Sequence, residues 1–473
     1  MTNVRNWPEL EQTLESLSRE RVLTRILERD FTVWSDSPDE IANRLGWLDC
    51  PQEMRVAVAD LTDFAAAVRE DGIKDVVLLG MGGSSLGAEV LQAICGNRTG
   101  WPAVQVMDTT DPLTISERQK QLDPEETLFI VATKSGGTAE TLSLFRYFYR
   151  WMAAELGGEA APRSFVAITD PGTSLVDTAN ELGFRRIFLN DPDIGGRYSA
   201  LSHFGLVPAT LAGIDVEQLL DSAAAELKEA GAALGAYIGG AAAGGRNKLT
   251  IVADKPLEPF GAWLEQLVAE SSGKLGGGIL PVTGEPWLTP GKYTDDRCFV
   301  VLRQSADSPA AEQGELLAAA GLPVATLEFA GAEDLGAQFM KWELATAIAC
   351  RVIGVNPFDQ PDVEQAKLIA REAMESYRQA GTLPERRFAL SKDGVKLGGT
   401  SINGTSLLEA LRNHLLAIRP GGYICLQAFL PALPAVHTAL AELSGLLRKA
   451  AGVPAVWGIG PRYLHSTGQL HKG

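Results

Sequence analysis

Thr133-Lys134-Ser135-Gly136-Gly137-Thr138 follows the apolar run Leu128-Phe129-Ile130-Val131-Ala132 and opens Ala139-Glu140-Thr141-Leu142. A strand that ends in a hydroxyl- and glycine-rich turn and continues as a helix is a phosphate cradle. Its helix start presents unpaired N–H groups and the positive end of the dipole, and the hydroxyls and Lys134 add donors. A second turn of this kind lies upstream, where Asp75-Val76-Val77-Leu78-Leu79-Gly80 runs into Met81-Gly82-Gly83-Ser84-Ser85-Leu86-Gly87. Two such turns about fifty residues apart point to one pocket, because neighbouring parallel strands deliver their C-terminal ends to one sheet edge. The ligand this favours is a small phosphorylated metabolite.

Outward from these turns, apolar runs at 75–80, 103–107, 128–132, 164–169 and 186–189 alternate with helical stretches. Such alternation predicts parallel strands joined by crossover helices, an α/β fold. A long alanine-rich helix is expected over roughly 215–245. Beyond it, strand candidates at 249–253, 278–282, 298–302 and 323–327 alternate with helices at 260–270, 309–320 and 335–353, which suggests a duplicated architecture. The tail from about 380 holds another strand (422–426) and an amphipathic helix near 433–450.

A chain of 473 residues is long enough for two or three domains. Its net charge of −17 argues against nucleic-acid or anionic-membrane partners, which call for basic patches. The five cysteines form no paired motif, which excludes a zinc ribbon or a CxxC redox site and fits a reducing compartment. The charged N-terminal stretch has no apolar run of signal-peptide type, and no segment is long and apolar enough to span a bilayer. A cytoplasmic location is therefore expected.

Three further stretches carry chemistry. Asp193-Ile194-Gly195-Gly196-Arg197-Tyr198-Ser199 puts an arginine in a tight turn after a strand. Glu270-Ser271-Ser272-Gly273-Lys274 closes a helix with a carboxylate and small polar residues. Val355-Asn356-Pro357-Phe358-Asp359-Gln360-Pro361 sets Gln360 seven residues before Lys367 across a proline-started helix. Together these motifs resemble the phosphoglucose isomerase family from about residue 70 onward, and most closely the isomerase half of bifunctional transaldolase–phosphoglucose isomerase proteins. The resemblance implies two sugar-isomerase (SIS) domains and interconversion of glucose 6-phosphate and fructose 6-phosphate. It divides the chain into a helical N-terminal arm (1–55), a first SIS domain with the phosphate cradle (56–225), a second with the catalytic Glu and Lys (226–380) and a C-terminal extension (381–473).

By motif position, Gly83, Ser84, Thr133, Lys134, Ser135 and Thr138 match the family's phosphate-binding residues. Glu270 matches its catalytic base, Arg197 the residue beside the enediolate, and Gln360 and Lys367 residues near the ring oxygen and the base. The histidine motif Leu464-His465-Ser466-Thr467-Gly468-Gln469 lies over a hundred residues after V-N-P-F-D-Q, whereas single-function relatives carry it before. The transaldolase-fused relatives share the late position, so the ring-opening role is carried to His465. In the wider family that histidine comes from the neighbouring subunit, and a homodimer is expected here.

The chemistry accounts for these residue types independently. One carboxylate can move a proton between C1 and C2 if it sits over a cis-enediol, and a fixed guanidinium stabilises the developing oxyanion. Lys367 and a histidine suit ring opening. This route needs no metal or cofactor, and without a transaldolase half before Met1 no Schiff-base chemistry is expected. Taken singly, these residues have plainer readings: Thr138 and Ser135 as helix caps, Glu270 as a solvated helix end, Arg197 as a structural ion pair, and His203 as a packing residue. The rival functions are an isomerase that also accepts mannose 6-phosphate, a non-catalytic SIS sensor that needs only the cradle, and a nucleotide-dependent oxidoreductase. The glycine spacing disfavours the last.

Overall fold

The computed structural model describes residues 2–229, 231–382, 388–392, 394–399 and 402–472. The chain opens with a short strand, β1 (Asn3–Arg5), then the helices Leu10–Arg19 and Val22–Leu27. Strands β2 (Asp75–Gly80), β3 (Ala103–Met107), β4 (Thr127–Ala132), β5 (Phe165–Thr169) and β6 (Arg186–Leu189) form one parallel sheet in the order β3-β2-β4-β5-β6. Helices connect each strand to the next, as parallel pairing requires. The strand order reverses between β2 and β4, so the crevice of this sheet opens beyond their C-terminal ends, where the two glycine-rich turns lie.

Period-two alternation explains why every residue of β4 is buried. Phe129 and Val131 join a cluster with Leu144, Phe145 and Phe148 of the helix Ala139–Leu156, while Leu128, Ile130 and Ala132 enter a larger core on the other face. β2 and β5 divide in the same register: Val77, Leu79, Phe165 and Ala167 face the first cluster, and Val76, Leu78, Val166 and Ile168 the second. With helices on both faces, these strands read as continuous apolar runs.

A second sheet contains β7 (Lys248–Ala253), β8 (Leu280–Val282), β9 (Arg297–Arg303) and β10 (Val324–Glu328), all parallel in the order β8-β7-β9-β10. Its reversal between β7 and β9 repeats that of the first sheet, which bears out the expected duplication. β1 adds to its outer edge, antiparallel to β10. One core is common to both sheets. It takes Leu249, Ile251, Val300 and Leu302 from the second sheet together with Leu128, Ile130 and Val166 from the first. The C-terminal region contributes an antiparallel hairpin, β11 (Leu390–Lys392) and β12 (Val395–Leu397), and a parallel pair, β13 (Ile424–Ala428) and β14 (Ala455–Ile459), bridged by the helix Pro434–Ala451.

Three details differ from the sequence reading. The arm is not wholly helical, since β1 completes a sheet more than three hundred residues away in sequence. Local periodicity cannot reveal such a pairing. The single helix expected over 215–245 is two, Val216–Glu229 and Ala232–Ala243, with Gly231 at the start of the second. Gly235 and Gly239 of the second helix lie against Leu335–Ile353 so closely that a Cβ would stand 2.7 Å from the Ala345 carbonyl oxygen and 2.9 Å from the Ala349 Cα. Finally, the divisions expected after 55 and after 225 fall inside the helices Cys50–Glu70 and Val216–Glu229.

Phe129 anchors the first sheet, with its ring 4.7 Å from that of Phe148 and 5.2 Å from that of Phe165. Phe129→Ala is expected to cost about 3–5 kcal/mol, seen as an earlier midpoint in urea unfolding followed by circular dichroism. An unchanged midpoint would mean the cluster collapses to fill the space.

Candidate active site

At the C-terminal end of β4, Thr138 stands at the N-cap position of the helix Ala139–Leu156, but its side chain makes no capping hydrogen bond. Its Oγ1 lies 2.8 Å from Thr133 Oγ1 instead. The plain capping reading of Thr138 therefore fails, and an 18-residue helix points its positive end at a pair of hydroxyls. Ser135 Oγ accepts from the Gly137 amide at 3.3 Å, which shapes the turn. The Lys134 ammonium is directed sideways, donating to Asp170 Oδ2 at 2.5 Å and the Pro192 carbonyl at 2.7 Å.

The second turn, at the end of β2, packs directly on the arginine turn. A Cβ on Gly83 would stand 2.0 Å from the carbonyl oxygen of Gly196, so only glycine permits the approach. Ser199 Oγ donates to the Gly83 carbonyl (3.1 Å) and to that of Gly196 (2.6 Å). Ser84 is buried beside this contact.

Arg197 is 4% exposed, and its guanidinium is surrounded by acceptors. Nε donates to Ser271 Oγ at 2.9 Å. Nη1 lies 3.2 Å from Glu270 Oε1 and donates to Gln360 Oε1 at 3.4 Å. Nη2 donates to the carbonyls of Pro357 and Asp359, the latter at 3.1 Å. One side chain thus unites three of the motifs. Glu270 lies in the last turn of the helix Phe260–Ser272 and is also buried, which removes its reading as a solvated helix end. Its Oε2 accepts from Gln266 Nε2 at 3.0 Å, one turn earlier on the same helix.

Behind Arg197, Lys274 pins the V-N-P-F-D-Q loop, with Nζ 2.6 Å from Asp359 Oδ1 and donating to the Asn356 carbonyl. Burial, followed by the nearby Arg197 charge, lowers its pKa to about 8. The N-terminal arm closes this side. Trp47 packs on Tyr198, Tyr198 on Phe358 and Phe358 on Trp34, with ring centroids 5.1, 5.3 and 5.2 Å apart. Leu45 forms a β-bridge with Ile194 of the arginine turn.

The C-terminal motif reaches the same place within one chain. The His465 carbonyl accepts from Gln266 Nε2 at 2.9 Å, and His465 Nε2 is 3.0 Å from Glu140 Oε1 in the first turn of the cradle helix. Gln469 Nε2 donates to the Gly273 carbonyl at 3.0 Å and to Asp362 Oδ2, and its Oε1 accepts from the Val363 amide. His203 lies elsewhere, packed against Phe188. Lys367 belongs to the helix Pro361–Ala380, and its side chain is outside the described residues.

The sequence motifs contain Lys274 without giving it a role, and they do not single out Gln266, Glu140 or the arm's tryptophans. The four-residue spacing from Gln266 to Glu270 marks one helix face and offers a signal. Nothing local in the sequence links Glu140 to a histidine 325 positions away.

The phosphoglucose isomerase family model matches residues 35–276. The chain belongs to this family. A glucose-6-phosphate isomerase of Rubrobacter xylanophilus is 32% identical over 431 residues, covering 79% of this chain and 98% of that one. One from Symbiobacterium thermophilum is 30% identical, covering 68% and 85%. Among solved structures, a hypothetical protein of Thermus thermophilus superposes with a TM-score of 0.67 at 26% identity, over 80% of this chain and 100% of that one. A glucose-6-phosphate isomerase of Chlamydia trachomatis shares the fold, with a TM-score of 0.65 at 18% identity over 78% and 86%.

Gly83→Ala must drive the turn after β2 away from the arginine turn. It is expected to cost roughly 1–3 kcal/mol through overpacking and to weaken binding of a phosphorylated sugar acid, measured by calorimetry alongside thermal melting. Unaltered melting and binding would show that the backbone yields without cost.

Proposed function

We propose that this chain interconverts glucose 6-phosphate and fructose 6-phosphate through a cis-enediolate, with Glu270 as the base that moves the proton between C1 and C2. The observation that carries this reading is the buried Glu270–Arg197 pair, 3.2 Å apart and packed against the second cradle turn through Gly83 and Gly196. A phosphosugar sensor needs a cradle but has no use for a desolvated carboxylate held against a guanidinium.

Each group has a part in the proposed chemistry. The hydroxyls of Ser84, Thr133, Ser135 and Thr138, with the turn amides of Gly83 and Lys134, bind the phosphate at the start of the helix Ala139–Leu156. The Lys134 ammonium, held by Asp170, buttresses that turn. Arg197 faces the oxyanion that forms as Glu270 takes the proton, and its surrounding acceptors keep it from moving as charge develops. Such a preorganised charge is commonly worth roughly two to three orders of magnitude in rate. Gln360, fixed by Arg197, lies toward the sugar ring. His465, paired with Glu140, is the proposed acid–base for ring opening, and Lys367 is assigned there by its motif. The late histidine motif is what supports a likeness to the isomerase half of transaldolase-fused proteins. A homodimer is proposed from the resemblance to the family, and a cytosolic location is in keeping with cysteines that form no disulfide.

Glu270→Gln keeps the side-chain shape and leaves Arg197 its other acceptors. In a coupled assay of glucose 6-phosphate formed from fructose 6-phosphate, turnover is expected to fall by roughly 10²–10⁴-fold. Affinity for a phosphorylated sugar acid should stay within about threefold, because the carboxylate acts away from the phosphate. Near-normal turnover in this variant, or none in the parent protein with phosphosugar binding intact, would overturn the enzymatic reading.

Because the Gln266 side chain bonds both Glu270 and the His465 carbonyl of its own chain, the two residues should act in cis. In an isolated heterodimer of His465→Ala and Glu270→Gln subunits, each site then lacks one of the two groups. No activity should return. Recovered activity would put the histidine in the partner's site.

A further inference from the structure

The C-terminal extension meets the rest of the chain through charged contacts that flank a cavity of about 1130 Å³. On one wall Arg448 Nε is 2.6 Å from Glu285 Oε1, a carboxylate that also accepts from Arg297 at 2.8 Å. On another wall the Arg462 guanidinium joins two carboxylates of the first sheet's unit. Its Nε donates to Asp108 Oδ2 at 2.5 Å, and its Nη2 donates to Glu89 Oε2 at 2.7 Å. Asp108 immediately follows β3, and Glu89 is in the helix Leu86–Cys95 that leaves the second cradle turn.

Arg462 and His465 are the two ends of one short 3-10 turn. The guanidinium is therefore tied to the cradle's own helix, and the imidazole three residues later is tied to Glu140 at the other cradle. We propose that Arg462 is a positioning residue for ring opening: its grip on Glu89 and Asp108 sets the turn that presents His465. The proposal rests on the reading of His465 as the ring-opening group. A guanidinium suits this task because its planar fork can hold two carboxylates at once in fixed directions, which a lysine ammonium on a flexible stem cannot do. Burial raises the Glu89 pKa while Arg462 opposes that rise, so Glu89 and Asp108 depend on this cation to share one wall. Without it, like charges face each other and the turn loses its anchor. Glu270 and Arg197 have their own partners and would keep their arrangement, so the proton transfer between C1 and C2 should be spared.

The test compares glucose 6-phosphate with an analogue blocked at O4 and O5, which cannot close its ring and is followed by hydrogen exchange at C2. Arg462→Met is expected to lower kcat on glucose 6-phosphate by roughly 10- to 100-fold, the scale of a misplaced catalytic group. KM and the exchange rate of the open-chain analogue should stay within about threefold, because neither depends on ring opening. Arg462→Lys should fall between, and Arg462→Met should add little to His465→Ala, since both disable one step. Should Arg462→Met fail to fold, Glu89→Gln with Asp108→Asn removes the clamp from the other side and is read the same way. Equal loss on both substrates, or no loss on either, overturns the clamp. If His465→Ala itself slows both substrates equally, the ring-opening reading falls and takes the clamp with it. A His465→Ala defect confined to closed-ring substrate, beside an unaffected Arg462→Met, overturns the clamp alone.

Discussion

A guanidinium cannot shed its charge, so burying Arg197 obliges the chain to build a shell of acceptors around it. The penalty for an unpaired buried ion is several kcal/mol, comparable with the whole stability of a domain. Glu270, Ser271, Pro357, Asp359 and Gln360 meet that demand. They come from stretches separated from Arg197 by 73 to 163 positions, so the arginine fixes where each must lie. Lys274 reinforces the arrangement from behind, holding Asp359 and Asn356 while its own charge is disfavoured by burial and by Arg197. Assembling the candidate site and stabilising the fold around it are consequently one problem.

The scaffold delivers these pieces by simple means. Both parallel sheets reverse strand order near their middles, and in the first this opens the crevice that the glycine turns occupy. Helices on both faces of that sheet make it rigid. Where polar contacts alone would leave the loops loose, aromatic packing confines them: the arm lays Trp47 and Trp34 over Tyr198 and Phe358, residues adjoining Arg197 and two before Gln360. The arm is thus part of the site's support. The chain's other end contributes through Gln266, whose amide joins Glu270 to the His465 carbonyl.

The parallel strands of both sheets, the helices between them and the two glycine-rich turns were legible from the sequence, because apolar run length and glycine placement are local signals of local geometry. The candidate residues Glu270, Arg197 and Gln360 were legible as motifs and prove to be neighbours. Less was readable where one residue's environment depends on remote chain. Lys134 looks like a free donor for phosphate in the sequence, yet its ammonium is held by Asp170 and Pro192. Thr138 looks equally suited to capping, yet its hydroxyl pairs with Thr133.

What the sequence determined by itself was therefore the class of fold, two rounds of strand and helix, and the chemical vocabulary of the candidate site: hydroxyls and glycines of the kind that suit a phosphate, one carboxylate, one guanidinium, one late histidine. Only tertiary structure decided that β1 closes a sheet made mostly by residues 248 to 328, that the late histidine motif folds back onto the cradle helix of its own chain, and that Arg462 spans Glu89 and Asp108. The reason is physical. Periodicity and turn chemistry act over a few residues, whereas the pairing of a buried charge or an open sheet edge is settled by whichever partner the finished packing brings within about 3 Å, the reach of a hydrogen bond.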